Sequence, residues 1–260
     1  RDDPELADVV RRRLVEDGIE IHENIRIEDV EGNAGSIRVR LDGDNGPAII
    51  EGSHLLVAAG RKPNIDGLDL DKAGIEFTPK GVTIDKRLRT TNKKVFAIGD
   101  IAGPFQFTHM AGYHAGIVIR NALFRLPAKV DYGAVPWVTY TDPELAWVGM
   151  SEADAQAKHG DIRVMRFPFD ENDRAIAERT TDGLVKVITS KKGVVLGVGI
   201  VGPHAGELIQ SWILPIARAM HIKHVAGLIA PYPTLGEAGK RAAGAYFTPS
   251  LFGDRVKMIV

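Results

Sequence analysis

The chain has 260 residues, 44% hydrophobic and 26% charged, which is an ordinary globular composition with room for about two domains. A net charge of -1 offers no basic field to nucleic acid or to an anionic membrane, and no run approaches the roughly 20 apolar residues of a membrane helix. The first residues are no signal peptide, so a cytoplasmic protein is expected. Cysteine is absent, which excludes a disulfide framework, a thiolate metal site and a redox dithiol within this stretch.

The chain opens with a predicted helix followed by a predicted strand. Asp3 is suited to cap the helix, Pro4 suits its first turn, and Gly18 ends it. Ile19 and Ile21 are then expected to start the strand. A helix followed by a strand is typical of the end of a βαβ unit, although no Gly-rich dinucleotide fingerprint precedes it.

Strong turn signals divide the next stretch into short strands. We expect strands at Ile25–Val30, Ser36–Leu41 and Ala48–Glu51, forming an antiparallel meander. Leu55–Ala59 is apolar throughout and predicts a buried strand, which Gly60 and Arg61 close. The position of Arg61 is compatible with facing a phosphate or with capping a turn.

A second apolar run, Val95–Ile98, is bounded by charge and by glycine, the pattern of a fully buried strand. It stops at Gly99 and Asp100. Glycine permits another backbone or a ligand to come close, and a carboxylate at the end of such a strand can accept hydrogen bonds from sugar hydroxyls. The alternative is an ordinary buried strand that ends in a turn aspartate.

A helical pattern follows this strand, with apolar residues spaced near 3.6 from Ala111 to Leu123, so a helix N-terminus is predicted to point back at Asp100. His109 and His114 lie on this segment. Either could take part in chemistry, but partly buried polar histidines are the more frequent case, and we favour that interpretation.

From Ala134 the pattern changes to an α+β module. Strands are predicted at Val135–Tyr140, Arg163–Pro168, Gly183–Thr189 and Val194–Val201, with a helix capped by Ser151 between the first two. The helix predicted at Leu208–Met220 is apolar almost all round, which favours a subunit interface. His204 and Glu207 have a spacing that could ligate a metal, but no third ligand is nearby, and no metal site is predicted.

Four segments together resemble the pyridine nucleotide-disulfide oxidoreductase family, which includes lipoamide dehydrogenase and mercuric reductase. In chain order they are 56–64 (LVAAGRKPN), 95–100 (VFAIGD), 136–149 with its Thr-Asp-Pro-Glu run, and 231–237 (PYPTLGE). The resemblance implies a partial, Rossmann-like α/β nucleotide-binding part followed by an α+β dimerisation domain. It divides the chain into the end of an NAD(P)-binding domain at 1–64, the end of an FAD-binding domain at 65–133, and a dimerisation domain at 134–260.

The same resemblance implies an FAD enzyme that uses NAD(P)H and forms a homodimer. Asp100 then contacts the ribityl chain of the flavin, while Met110 and Ala111 approach its ring. Gly60, Arg61 and Gly99 complete the implied cofactor set. The resemblance covers only about the second half of a family member, so we expect this polypeptide alone to bind FAD weakly or not at all and to lack reductase activity.

The segment around Tyr232 resembles the family's active-site segment, in which a His paired with a Glu handles a thiol proton and enters the partner subunit. Here Tyr232 stands at the His position and Glu237 remains. A tyrosine titrates about 3.5 pKa units above a histidine, so dithiol proton shuttling is not expected of it. Tyrosine here is a feature of mercuric-reductase-like members, although this chain lacks their C-terminal cysteine pair.

Two functions from different classes remain open on the sequence. The first is a flavoprotein reductase acting on a disulfide or a related small-molecule acceptor, with Tyr232 and Glu237 on the acceptor side. The second is a dimerisation or interaction module without cofactor, in which Tyr232 is a packed aromatic residue and Glu237 an ordinary acid at a helix start.

Overall fold

The computed structural model describes residues 2–44 and 46–251, and these form two compact units. One unit comprises residues 22–131; the other combines residues 2–21 with 132–251. Each has hydrophobic clusters of its own. The predicted division at residues 64 and 133 stays a prediction, because it concerns family domains, whereas compactness groups the first helix with the C-terminal sheet.

The unit of residues 22–131 begins with the predicted antiparallel meander. Strands β1 (Ile25–Asn33), β2 (Ser36–Gly43) and β3 (Ala48–Gly52) pair in the order β1-β2-β3. The pairing of β1 with β2 shifts register between Ile27 and Asp29, the mark of a β-bulge. The strong turn signals in the sequence thus identified the meander correctly.

Three strand predictions in the first hundred residues are wrong. Residues 19–21 and 55–59 belong to no strand, and Leu56 and Val57 are 89% and 76% exposed. Residues 95–98 hydrogen-bond to residues 88–90, where Thr90 N–H donates to Val95 C=O and Ala97 N–H to Leu88 C=O, but they form one isolated bridge, Phe96 with Arg89, and not a strand. A strand needs a neighbour to take up its N–H and C=O groups. Within the described ranges no strand lies beside 55–59, so an apolar run alone did not suffice.

The remainder of this unit positions the turn at Gly99. A small two-stranded sheet, β4 (Phe77–Thr78) and β5 (Gly81–Val82), precedes a 3₁₀ turn at Gly99–Ile101, and helix α2 follows at Thr108–Ala122. Buried aliphatic residues hold these elements together in two clusters. Their core members are Ile65, Ile75, Val82, Ala97 and Ala102 in one, and Leu88, Ile117 and Ala128 in the other.

The second unit is built on a five-stranded antiparallel sheet with the order β6-β7-β10-β9-β8. Its strands are β6 (Pro136–Thr139), β7 (Glu144–Gly149), β8 (Ile162–Pro168), β9 (Leu184–Ser190) and β10 (Val195–Gly202). Every residue of β10 is buried. The strands predicted from Val135, Arg163, Gly183 and Val194 are therefore confirmed, with β10 at the centre of the sheet.

Helices cover both faces of this sheet. On one face lie α1 (Pro4–Glu16) and α3 (Glu152–His159), capped by Asp3 and Ser151 as predicted. On the other face and around its edges lie the remaining short helices. They are α4 (Asp173–Glu178), α5 (Ala205–Leu208), α6 (Gln210–Ala217), α7 (Lys223–Ala226), α8 (Glu237–Ala245) and α9 (Thr248–Leu251).

Two details of this unit bear on the predictions. Gly199 of β10 lies under α1, and a Cβ there would stand 2.3 Å from Leu6 Cδ1, so this glycine permits close packing of the helix on the sheet. The single helix predicted at Leu208–Met220 is wrong, because α5 ends at Leu208 and a separate helix, α6, runs from Gln210 to Ala217 with Pro215 inside it. Leu214 is 61% exposed, so one side of α6 faces outward.

Candidate functional site

The turn that carries Asp100 depends on a glycine for two reasons. Gly99 has φ +69°, in the left-handed region that L side chains rarely adopt. A Cβ on Gly99 would also lie 3.3 Å from Cβ of Ala111 in the first turn of α2, closer than side chains normally pack. The close approach predicted at this glycine is thus present, and it sets the 3₁₀ turn directly against the start of α2.

Asp100 forms an ion pair with Arg61. Arg61 Nη1 donates to Asp100 Oδ2 at 2.9 Å across 39 residues of chain, so two of the residues predicted for the cofactor stand together. Their side chains are 63% and 37% exposed, and such a pair contributes less than about 1 kcal/mol to stability. Neither interpretation of Arg61 from the sequence included this pairing. The Asp100 carboxylate can accept hydrogen bonds from hydroxyl groups, and the Arg61 guanidinium beside it can bind a phosphate.

Three residues of the first turn of α2, His109, Met110 and Ala111, follow the Asp100 turn in the chain. Met110 is buried, with 2% of its surface exposed, so its side chain belongs to the core. The N–H groups of Met110 and Ala111 both donate to the Phe107 carbonyl, at 3.0 and 3.3 Å. His109 stacks on Phe107, with ring centroids 5.0 Å apart. A role of Met110 and Ala111 at the flavin ring stays a prediction.

His114 is buried, with 1% of its surface exposed, and its Nδ1 accepts a hydrogen bond from the N–H of Gly99 at 3.2 Å. Burial lowers the pKa of His114, so the ring is neutral at neutral pH. The sequence favoured a partly buried polar histidine. The structure adds that this residue is bonded to the backbone immediately before Asp100, which its place on the helical pattern did not reveal.

The second set of predicted residues lies in the other unit. Tyr232 is 69% exposed, and its hydroxyl donates to Asp173 Oδ2 at 2.9 Å. That hydrogen bond is the main reason the pKa of Tyr232 is raised, and the charges of Asp173 and Glu237 add to it. Asn172 Nδ2 donates to the Thr234 carbonyl at 3.2 Å, tying the same segment to the start of α4. Nothing in the sequence pointed to Asn172 or Asp173, about sixty residues away.

Glu237 is the first residue of α8 and pairs with Arg241 one turn on, where Arg241 Nε donates to Glu237 Oε1 at 3.2 Å. An acid in the first turn of a helix is favoured by the helix dipole. The structure therefore pairs Tyr232 with Asp173 and Glu237 with Arg241, not with each other. Glu237 nevertheless lies near enough for its charge to act on the phenol.

An apolar groove of about 400 Å³ runs beside the Tyr232 segment. Its lining includes Leu208, Trp212, Leu228, Ile229 and Pro231. Ile229 is 97% exposed, as expected of a residue that another surface covers. Such a combination of groove and exposed aliphatic residues suits an interface.

Two other features of the described residues concern metals and membranes. His204 precedes α5 with φ +55°, and Glu207 accepts from Gln210 Nε2 at 3.0 Å. Across residues 2–44 and 46–251, no three His, Cys, Asp or Glu side chains are grouped so as to hold a metal ion. Nor does any helix in those ranges have the length and apolar character needed to cross a membrane.

Comparison with known families accounts for both halves of this arrangement. The model of the pyridine nucleotide-disulphide oxidoreductase family matches residues 1–115, and the model of that family's dimerisation domain matches residues 135–243. The chain belongs to the pyridine nucleotide-disulphide oxidoreductase family. The predicted fold class is thereby confirmed: a Rossmann-like nucleotide-binding part followed by an α+β dimerisation domain.

Named relatives include two kinds of enzyme. Over 93% of its length the chain is 36% identical to a mercuric reductase of Lysinibacillus sphaericus, covering 44% of that protein. Over 92% of its length it is 35% identical to a dihydrolipoyl dehydrogenase of Geobacillus stearothermophilus, covering 51%. The chain thus spans about half the length of the curated relatives it matches.

Two solved structures have a similar fold over most of this chain. LpdA of Mycobacterium tuberculosis superposes with a TM-score of 0.85 at 28% identity, covering 94% of this chain and 53% of LpdA. The HOCl-induced flavoprotein disulfide reductase RclA of Escherichia coli superposes with a TM-score of 0.86 at 26% identity, covering 94% and 56%.

Proposed function

We propose that the protein carrying this chain is an NAD(P)H-dependent FAD flavoprotein oxidoreductase that works as a homodimer on a disulfide or a related small-molecule acceptor. The observation that carries the proposal is the Gly99-Asp100 turn with Arg61 beside it, in a chain of this family. Its oxidoreductase relatives, named for mercuric ion and for dihydrolipoyl groups, support the reaction class.

The residues around Asp100 fit a flavin dinucleotide on the ground of their own geometry. Gly99 carries no Cβ, which would be in tight contact with Ala111 at 3.3 Å, so backbone and ligand can come close there. The Asp100 carboxylate is partly exposed and can accept from the hydroxyls of a ribityl chain, while the Arg61 guanidinium can face a phosphate. When bound, FAD supplies the transfer of hydride and electrons between nicotinamide and acceptor.

Tyr232 is proposed to bind the acceptor rather than to remove a proton from it. Its pKa lies above the ordinary tyrosine value because its hydroxyl donates a hydrogen bond to Asp173, so even less of the phenolate that could remove a proton is present at neutral pH than for a free phenol. The hydroxyl donates its proton to the hydrogen bond with Asp173. A lone pair of the Tyr232 oxygen can therefore accept a hydrogen bond from a donor group on the substrate. Glu237, held by Arg241, adds negative charge to this side.

The dimerisation domain supports assembly into a homodimer, and the apolar groove with Ile229 offers a surface of suitable character. The 260-residue chain by itself is proposed to bind FAD weakly or not at all and to lack reductase activity. The competing proposal is a dimerising module without cofactor, which the exposed apolar surface would serve equally well.

Substitution at Asp100 separates these proposals. In the protein encoded by the complete gene, we expect Asp100→Asn to weaken FAD binding by about tenfold or more, since hydrogen bonds to a charged acceptor are among the stronger ones. Asp66→Asn is the matched control, because Asp66 forms an exposed ion pair with Lys62 at 3.0 Å in the same unit. FAD affinity is measured by flavin fluorescence during equilibrium dialysis. Equal affinities in the two variants would contradict the role of Asp100, and absence of flavin from every variant would favour the module.

A further inference from the structure

His114 connects the interior of α2 to the turn that presents Asp100. The ring is buried with 1% of its surface exposed, and its Nδ1 accepts from the Gly99 N–H at 3.2 Å. Gly99 has φ +69°, and a Cβ added to it would lie 3.3 Å from Cβ of Ala111, so the turn passes close to α2 at this residue. A buried N–H that loses its acceptor carries a full desolvation cost.

We propose that His114 is a positioning residue of the flavin site: by accepting the Gly99 N–H it fixes the peptide before Asp100 and so directs the Asp100 carboxylate. The inference rests on the proposed flavin function. His114 acts through the backbone of Gly99, and its role is distinct from that of Asp100 and Arg61, whose charged groups are exposed toward a ligand.

This hydrogen bond makes the turn sensitive to acid. Nδ1 accepts only while it carries no proton, and a doubly protonated ring would turn an N–H toward the Gly99 N–H. Burial lowers the pKa of His114. Among the titratable groups near it, Tyr113 on its own helix has its ring centroid 6.1 Å away, and Asp100 directly follows the bonded Gly99 in the chain.

The sign of the pH dependence follows from that lowered pKa. The folded protein favours the neutral ring, so the contribution of His114 is complete above the ordinary histidine pKa of 6.5. It is lost as the pH falls below that value through the pKa of the folded state. Protonation of His114 is thus expected to release the Gly99 peptide and loosen flavin binding in mild acid.

The test compares two variants of His114 in the flavin-loaded protein encoded by the complete gene. His114→Asn places an amide oxygen near the position of Nδ1, retains the acceptor and does not titrate. His114→Leu removes the acceptor. We expect His114→Asn to bind FAD within about threefold of the unsubstituted protein at pH 7.5 and to lose the decline in affinity in mild acid. His114→Leu is expected to bind FAD about tenfold more weakly both at pH 7.5 and in mild acid.

Asn121→Leu is the matched control for a general loss of stability. Asn121 lies on the same helix, is 8% exposed, and bonds both the N–H and the C=O of Ala128 rather than Gly99. At a temperature where all variants are folded, we expect Asn121→Leu to bind FAD within about threefold of the unsubstituted protein.

Two further results would overturn the inference. If His114→Leu and Asn121→Leu weaken FAD binding equally, or if His114→Asn retains the decline in acid, His114 is only a core residue. These outcomes presuppose bound flavin. A protein that carries no flavin in any variant overturns the proposed function itself, and the inference with it, so the two failures are distinguishable.

Discussion

Replacing Lys186 by Met tests the charged cluster that joins α1 to the sheet of its unit. The Lys186 side chain is 4% exposed, and its Nζ lies 2.8 Å from Asp3 Oδ2, 3.0 Å from Glu5 Oε2 and 2.8 Å from Glu152 Oε2. Removing one partner of a buried ion pair usually costs about 3–5 kcal/mol, because the remaining charge is left buried without a partner.

The surroundings place the expected loss near the lower limit of that range. Asp3 Oδ1 keeps the N–H groups of Glu5 and Leu6, at 3.0 and 3.4 Å, and Glu5 keeps Arg166 Nη2 at 2.8 Å. Glu152 is 45% exposed and regains water. We therefore expect Lys186→Met to lower the free energy of unfolding by about 3 kcal/mol.

Urea unfolding followed by tryptophan fluorescence measures this loss, since Trp137 and Trp147 belong to the same unit. Lys191→Met is the matched control. Lys191 pairs with Asp161 at 2.7 Å, with both side chains at least 70% exposed, and its loss should cost less than about 1 kcal/mol. An equal effect of the two substitutions would refute the argument that the burial of Lys186 makes its pairing important.

The pH dependence of stability is a second test of the charged cluster around Lys186. Burial opposes the charge of Lys186, but hydrogen bonds to Asp3, Glu152 and Glu5 outweigh it and raise the pKa of Lys186. Its contribution is therefore complete below the ordinary value of 10.5 and is lost as the pH rises through the pKa of the folded state. Lys186→Met should remove this alkaline loss of stability, and a profile that keeps it would assign the effect to another group.

The sheet and the acceptor side yield two more predictions. Gly199→Ala should lower the free energy of unfolding by about 1–3 kcal/mol, because the new Cβ would stand 2.3 Å from Leu6 Cδ1. In the control Gly116→Ala, on α2, the new Cβ meets nothing within 4 Å and should not destabilise the protein. Urea unfolding compares the two variants, and equal losses would contradict the packing argument. Tyr232→Phe should leave stability within about 0.5 kcal/mol and weaken acceptor turnover without slowing flavin reduction by nicotinamide in stopped-flow absorbance; slowed reduction would place Tyr232 elsewhere.

Local signals in the sequence predicted the elements that satisfy their hydrogen bonds within the chain. The helix cap at Asp3, the turns of the meander and four strands of the second sheet formed as expected, whereas β7 of that sheet was not predicted. The strand predicted at 55–59 did not form, because a strand needs hydrogen-bonding partners that another segment must supply. Apolar composition predicts burial, but it does not identify the surface that buries it.

The candidate sites show the same limit. The motif Gly99-Asp100 and the segment around Tyr232 could be found from the sequence because each is contiguous. Their pairings could not be found in this way: His114, Arg61 and Asp173 bond to these motifs across 15, 39 and 59 residues of chain, through folding rather than spacing. Predicting such partners requires knowing how α2 and α4 pack.

The most direct test of the proposed function is an anaerobic titration of the protein encoded by the complete gene with NADH and with NADPH, followed by absorbance. We expect a yellow homodimer whose flavin absorbance is bleached by one of the two nicotinamides and returns on addition of a disulfide or related acceptor. A colourless protein, or a yellow one indifferent to both nicotinamides, would contradict it and leave the dimerising module as the better explanation.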